Sequence, residues 1–452
     1  MAAFNKISST YKPVAEYYAG KSLFITGGTG FLGKVLIEKL LYSCKDIDKI
    51  YILVRNKNNI EVNKRMNQML NNPLFTRLKQ NKADCLTKLI PIVGDITERN
   101  LGMTPADERL LIEKVSVVFH SAATVQFNDR LPEAVRVNVE GTKNIIDFCH
   151  KLKNIDMLVH ISTVYANCDR KIIEEIVYPP PVDFTELNTS IQTVSCDEKT
   201  TTNILGNKPN TYTFTKAIAE SLIEKEHGKI PTVIIRPSIV GPIKNDPYPG
   251  WLDNWFGGTS LFWYTSIGLL RILPGSADGV VDIIPVDYVC NLMIVAAAKC
   301  QSSKLLHVYN SCTSECNPVT MNELTKLVLQ EKNNKYFAYP KVHFTTSKNM
   351  MMLLSFVLET IPAYVGDVWL WITGRKMRLV KLHSIMNNHR EKLEYFTSNY
   401  WQARCNNTKS LIVSLSDADR KTFCCDSTDI NWKEYIQTYL VGIRKYLLRS
   451  SD

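Results

Sequence analysis

Short apolar runs alternate with longer amphipathic ones through the first half of the chain. The apolar runs are Leu23-Phe24-Ile25, Ile50–Val54, Leu89–Val93, Val115–His120, Met157–Ile161 and 232–235. Runs this short, rich in Ile and Val and without polar alternation, read as strands covered on both faces of a parallel sheet. Helical periods fall between them. Val35, Leu36, Leu40 and Leu41 share one face of a helix, and a second helix is expected over 134–149. The polar stretch 62–78 reads as a helix to Leu70, interrupted at Pro73. The alternation predicts an α/β fold, a doubly wound parallel sheet with helices on both faces.

Two stretches break the pattern. Residues 169–209 carry the triple proline Pro179-Pro180-Pro181 and are too long for a plain connection, so they are expected to form a substrate-side insertion. Residues 349–372 are rich in Met, Leu, Phe and Trp, and Arg375, Lys376, Arg378 and Lys381 follow at once. A clean transmembrane helix needs ~20 residues with few charges, and Glu359, Pro362 and Asp367 interrupt this one. The favoured reading is a helix or broken helix lying in a membrane interface, with Trp369 and Trp371 as anchors and the basic cluster on lipid phosphates. A buried helix of a C-terminal helical domain and a true span are the alternatives.

Charge and cysteine usage narrow the partners. Lys and Arg number 54 against 44 Asp and Glu, a net charge of +10. That balance suits an anionic membrane surface or an anionic substrate such as a coenzyme A ester. Neither a basic low-complexity tract nor zinc-finger spacing points to nucleic acid. The segment from Met1 to Tyr18 is mixed polar and aromatic rather than a signal peptide, so the twelve cysteines are expected as reduced thiols. Cys312/Cys316 and Cys424/Cys425 lack partners at zinc-ligand spacing, and no metal is expected. His307, His343, His383 and His389 are read as structural or surface residues.

The first apolar run breaks into Thr26-Gly27-Gly28-Thr29-Gly30-Phe31-Leu32-Gly33. A strand, a Gly-x-x-Gly-x-x-Gly turn and a helix make a phosphate-binding unit for a dinucleotide. Gly27 permits the turn, Gly30 lets backbone approach a pyrophosphate, and Gly33 lets helix and strand pack closely. The second strand ends at Arg55, where NAD-binding proteins usually place an acid for the ribose 2′-hydroxyl. Arg55, with Lys57, would instead pair with a 2′-phosphate, which makes NADPH the expected cofactor. Asp95 and Ile96 follow the third strand, on the adenine side. Ser121, Ala122 and Ala123 follow the fourth, small enough for a cofactor to approach. Asn138 lies in the next helix, and Pro237 and Ser238 end the sixth strand. The candidate cofactor contacts are therefore Thr26, Gly27, Gly28, Thr29, Gly30, Phe31, Gly33, Arg55, Asp95, Ile96, Ser121, Ala122, Ala123, Asn138, Pro237 and Ser238.

Tyr212 and Lys216 stand four apart at the start of a helical pattern, so they share a face. An ammonium beside the phenol would favour the phenolate and ease proton transfer, and Lys216 could also hold the nicotinamide ribose. The same spacing at Tyr17 and Lys21 precedes the glycine turn and has no catalytic place. Ser162 and Thr163 end the fifth strand, where ligands bind in such sheets. One of these two hydroxyls would polarise a substrate carbonyl, and spacing leaves both open.

These motifs, with Arg236-Pro237-Ser238-Ile239-Val240-Gly241-Pro242 and Pro249-Gly250-Trp251-Leu252-Asp253-Asn254, resemble those of the fatty acyl-CoA reductases. The tail Ile430-Asn431-Trp432-Lys433-Glu434-Tyr435 and Gly442-Ile443-Arg444-Lys445-Tyr446-Leu447 is similar to that family's C-terminal male-sterility region, and the overall style is similar to insect members. The resemblance implies a Rossmann-type NADPH-binding reductase domain with substrate-binding insertions over 1–345, and a mostly helical C-terminal domain over 346–452. It implies reduction of a long-chain fatty acyl-CoA to a primary fatty alcohol with two NADPH, through a bound aldehyde, with release of coenzyme A. It also implies a cytosol-facing membrane, endoplasmic reticulum or peroxisome. An apolar acyl tunnel is expected between the insertion after Asp169, residues 251–273 and the C-terminal domain. The sequence departs from the family in Asn431, where Asp is usual, and in stopping at Asp452 without a second apolar segment. Competing readings are a reductase that stops at the aldehyde, a sugar-nucleotide epimerase or hydroxysteroid dehydrogenase, and a silent dinucleotide-binding scaffold.

Overall fold

Seven strands form one all-parallel sheet in the computed structural model, which describes residues 11–56, 61–193, 197–300, 306–330 and 341–449. The expected contribution of Lys57 lies outside the described residues. The strands are β1 (Ser22–Thr26), β2 (Ile50–Val54), β3 (Leu89–Val93), β4 (Val115–His120), β5 (Met157–Ile161), β6 (Thr232–Pro237) and β7 (Leu306–Ser311), in the spatial order β3-β2-β1-β4-β5-β6-β7. Six are the strands expected from the apolar runs. The seventh was hidden because His307, Asn310 and Ser311 dilute its apolar character.

Strand alternation supplies two cores. Leu23, Ile25, Ile50, Ile52, Val117, Phe119 and Val159 face one side, packed by α1 (Phe31–Ser43) and, late in the chain, α5 (Val286–Lys299), with Leu324 and Val328 of α6 (Met321–Gln330) in the same core. Phe24, Tyr51, Leu53, Val118 and Leu158 face the other, packed by α3 (Gly141–Lys151) and α4 (Thr211–Glu226). Between β2 and β3 lies α2 (Val62–Leu70), which ends before Pro73 as expected.

Local chemistry explains the departures. The helix expected from Ala134 begins at Leu131, because Pro132 suits a first turn, and its middle turn, Arg136–Glu140, is a π-helix. The stretch 169–209 is no lobe of its own. Ile172–Ile173 pairs with Gln402–Ala403, and Leu187, Ile191, Ile204 and Leu205 pack on the α3/α4 core.

The C-terminal apolar stretch is one continuous helix, α7 (Lys348–Ile372). A π turn at Phe356–Thr360 precedes Pro362, so the chain passes the proline without breaking. Among the described residues it is the one helix long and apolar enough to cross a membrane. Its two acids turn inward. Glu359 accepts from the N–H groups of Arg271 and Ile272 and pairs with Arg390 of α8 (Leu379–Ser398), while Asp367 accepts from the N–H groups of Arg378, Leu379 and Val380. Phe356, Tyr364, Val365, Trp369, Trp371 and Ile372 remain exposed. Further on, α9 (Asn406–Val413) packs on β7, and α10 (Trp432–Gly442) starts at Asn431, whose Oδ1 accepts from Lys433 and Glu434 N–H. An Asn caps a helix about as well as an Asp, so that departure from the family pattern costs nothing locally.

Candidate active site

A cavity of about 1180 Å³ runs along the carboxyl ends of β1 to β6, where ligands bind in open α/β sheets. Gly27 turns the chain there at φ +73°, and a Cβ on it would sit 2.7 Å from the Ala122 nitrogen. A Cβ on Gly33 would strike the Gly27 carbonyl. The turn from β1 therefore nests against Ser121 and Ala122, and the N-terminus of α1 faces the cavity.

Of the residues singled out from the sequence, Thr26, Gly27, Thr29, Gly30, Phe31, Gly33, Arg55, Asp95, Ile96, Ser121, Ala122, Ala123, Ser162, Thr163, Tyr212, Lys216, Pro237 and Ser238 all border this cavity. Gly28 and Asn138 stand behind it. Gly28 lets α1 approach Ile52. Asn138, fully buried in the π turn, accepts from the Thr124 N–H and donates to the Thr124 carbonyl and the Thr215 hydroxyl. It ties the loop after β4 to α4, so it positions the site from behind.

Arg55 is half exposed, with its guanidinium 3.8 Å from Asp95. Arg65 on α2 stands beside it, donating to the Arg55 carbonyl and, at 2.9 Å, to Thr29 Oγ1. Burial and the charge of Arg55 pull the Arg65 pKa down. Sequence reading missed Arg65, because it sits in a polar helix with nothing to mark it. Two guanidiniums, the glycine cradle and the buried Ser162 and Ser238 hydroxyls, which have no hydrogen-bond partner among the described residues, fit a nicotinamide dinucleotide.

Asn210 starts α4 by accepting from the Thr213 N–H at 2.9 Å, which sets Tyr212 in the first turn. Tyr212 and Thr163 both line the cavity, and the Thr163 side chain favours the phenolate. The Thr163 hydroxyl in turn donates to the Pro237 carbonyl at 3.2 Å and accepts from Tyr165 N–H. Lys216 Nζ donates to the Ile161 carbonyl at 2.7 Å. Burial pushes the Tyr212 phenol up to about 12, although the Thr163 side chain opposes it. Burial also brings Lys216 down to about 8, against the pull of Glu220. Burial favours the protonated phenol over the phenolate. At neutral pH the pair is a neutral phenol and a buried ammonium, an acid rather than a base.

Residues from two of the three segments expected to wall an acyl tunnel border the cavity. Asn254, Trp255, Ser260, Leu261, Thr265 and Leu273 line one side, and His389, Lys392, Leu393, Phe396 and Trp401 the other. Among the described residues, 169–209 contributes nothing to the lining. Trp251 also stands behind the wall, stacked on Phe31 at 5.5 Å. Outside the cavity, the fold brings Cys405, remote in sequence, within 4.8 Å of the Cys316 and Glu315 donor atoms.

Two family models, each described as male sterility protein, match residues 25–293 and 358–450. The chain is 40% identical over 443 residues to Fatty acyl-CoA reductase 1 of Xenopus laevis and 38% identical to that of Homo sapiens, covering 96% of this chain and 86% of each relative. It is 36% identical to Fatty acyl-CoA reductase 2 of Mus musculus over the same shares. Among solved structures, the reductase domain of a nonribosomal peptide synthetase from Mycobacterium tuberculosis superposes with a TM-score of 0.64 at 17% identity, covering 95% of this chain and 94% of that one. The terminal reductase domain of the myxalamid pathway gives 0.62 at 19%, covering 94% and 91%. At these identities the structures speak for the fold alone.

Proposed function

Because this chain belongs to the fatty acyl-CoA reductase family and reduces fatty acyl-CoA to fatty alcohol with a nicotinamide dinucleotide, we propose that the dinucleotide is NADPH and that Tyr212, Thr163 and Lys216 carry the chemistry. The aldehyde formed by the first reduction stays bound for the second. The observation that carries this reading is the placing of Tyr212, Thr163 and Lys216 at the wall of the cavity that also holds the glycine turn.

The glycine turn and the α1 N-terminus would hold the pyrophosphate, Asp95 and Ile96 the adenine, and Arg55 with Arg65 the 2′-phosphate. Lys216 would hold the nicotinamide ribose. When bound, the dinucleotide supplies hydride to the carbonyl carbon. As that carbon becomes tetrahedral, charge builds on its oxygen. Thr163 hydrogen-bonds this oxygen and the neutral Tyr212 phenol gives it a proton. The hemithioacetal then loses its C–S bond, coenzyme A leaves as the thiol, and the aldehyde remains. The same residues serve the second reduction after Tyr212 regains a proton from solvent. Over the cycle the thioester takes up two hydrides and two protons. A cavity above the ordinary 300–1,000 Å³ of ligand pockets suits a dinucleotide and an acyl thioester together.

The outward face of α7 lies on a lipid surface, with Arg375, Lys376 and Lys381 against lipid phosphates. Through Glu359 and Arg390 this helix is bolted to α8, whose Leu393 and Phe396 line the cavity. Substrate and product chains are thus handled beside the phase they dissolve in.

Replacing Tyr212 by Phe tests the reading. Acyl-CoA-dependent NADPH oxidation should fall ~10²–10⁴-fold, the range for a lost general acid, with NADPH binding nearly unchanged. An unaltered rate would remove Tyr212 from the chemistry.

A further inference from the structure

Three thiols and a carboxylate meet where the C-terminal region closes on the edge of the sheet. After β7 the chain turns tightly, with the Cys316 and Asn317 N–H groups both donating to the Thr313 carbonyl, at 3.1 and 2.8 Å. Cys312, Glu315 and Cys316 all come from this turn. Cys405 meets them from the residue before α9. Its thiol donates to Glu315 Oε2 at 3.2 Å, and the Cys312 and Cys316 thiols are its electrostatic neighbours. Donor atoms of Glu315, Cys316 and Cys405 lie within 4.8 Å of one another. Cys312 and Cys405 are buried, while Glu315 and Cys316 are half-buried and reachable from solvent.

We propose that this cluster is a zinc site, with Cys312, Cys316 and Cys405 as thiolate ligands and Glu315 as the fourth. With Zn–S bonds of about 2.3 Å, tetrahedral donors stand ~3.8 Å apart, inside the 4.8 Å that spans the Glu315, Cys316 and Cys405 donors, and Cys312 on the same turn would complete the set. Thiolates select zinc over magnesium or calcium. A dication with three thiolates and one carboxylate carries two net negative charges. Arg404 and Lys409, at 2.7 and 3.2 Å from the Glu315 carboxylate, offset both. Binding releases three thiol protons to solvent. The ion would pin the loop after β7 to the segment 401–405, whose Trp401 lines the cavity and donates to the Cys168 carbonyl. The site is independent of the reductase chemistry and serves to hold one cavity wall.

The test is metal analysis of the full chain, expressed with added zinc and purified under reducing conditions without chelator. One zinc per chain is expected, falling to none in Cys316→Ser and in Cys405→Ser. Should the serine variants fail to fold, the wild-type protein loaded with Co²⁺ decides, since thiolate ligation gives an intense sulfur-to-cobalt charge-transfer band. Metal-free protein without that band, zinc retained in both folded variants, or a Cys316–Cys405 disulfide in the reduced preparation would each overturn the proposal.

Discussion

Glu359 and Arg390 form a buried ion pair, the guanidinium donating to the carboxylate at 2.7 Å between α7 and α8. The same carboxylate accepts from two backbone N–H groups and from Ser355. This arrangement lets a helix that carries an acid present an apolar outer face. It also couples that face to the cavity wall.

Arg390→Met should strand the Glu359 charge. Breaking a buried pair from one side costs about 3–5 kcal/mol, so urea denaturation should show a loss of that order. Adding Glu359→Gln to the same chain should restore part of it. A single variant as stable as wild type would mean that the pair is not buried in solution.

Arg55→Ala and Arg65→Ala should each raise the KM for NADPH by ~10–100-fold, the worth of a hydrogen bond between charged groups. The KM for NADH should barely move. Equal effects on both cofactors would remove the pair from the 2′-phosphate.

The pH profile should report Lys216. Burial sets its pKa near 8, so the ammonium is present below that pH and lost above it. The kcat/KM for NADPH, which reads the free enzyme, should therefore fall as pH rises through about 8. Tyr212, pushed up to about 12, stays protonated throughout and adds no second limb. Lys216→Met should lower the plateau and abolish the limb, and a limb that survives would belong to another group.

Sequence and structure agree best where one residue type has one use. The glycine turn, the strand-end hydroxyls of Ser162 and Thr163, and the Tyr212–Lys216 spacing were legible because their backbone or helical geometry is local. Arg65 was not, since it reaches the site from a polar helix through tertiary packing alone. Cys405 was hidden for the same reason, standing 89 positions after Cys316 and paired with it only once the C-terminal region folds back. The proline-rich stretch was legible as an interruption between β5 and α4, but not where it packs: Leu187 and its neighbours bury it against α3 and α4. For α7, counting acids argued against a clean transmembrane helix and left a helix and a broken helix both open. Only the fold shows that Glu359 and Asp367 point inward.

The exposed face of α7 makes a direct forecast. Phe356, Trp369 and Trp371 are each more than half exposed. Changing all three to Ser should weaken sedimentation with phosphatidylcholine–phosphatidylserine vesicles by at least ~100-fold, given ~1.5–3 kcal/mol per buried large apolar side chain, and leave acyl-CoA reduction in detergent intact. Equal vesicle binding would place the membrane contact elsewhere.

The most direct measurement of the central claim is stoichiometry. Purified protein would be incubated with acyl-CoAs of graded chain length and limiting NADPH, with the lipid product identified and coenzyme A release counted. The account predicts two NADPH consumed per coenzyme A released and a primary alcohol without free aldehyde. One NADPH per coenzyme A, with aldehyde accumulating, would contradict it.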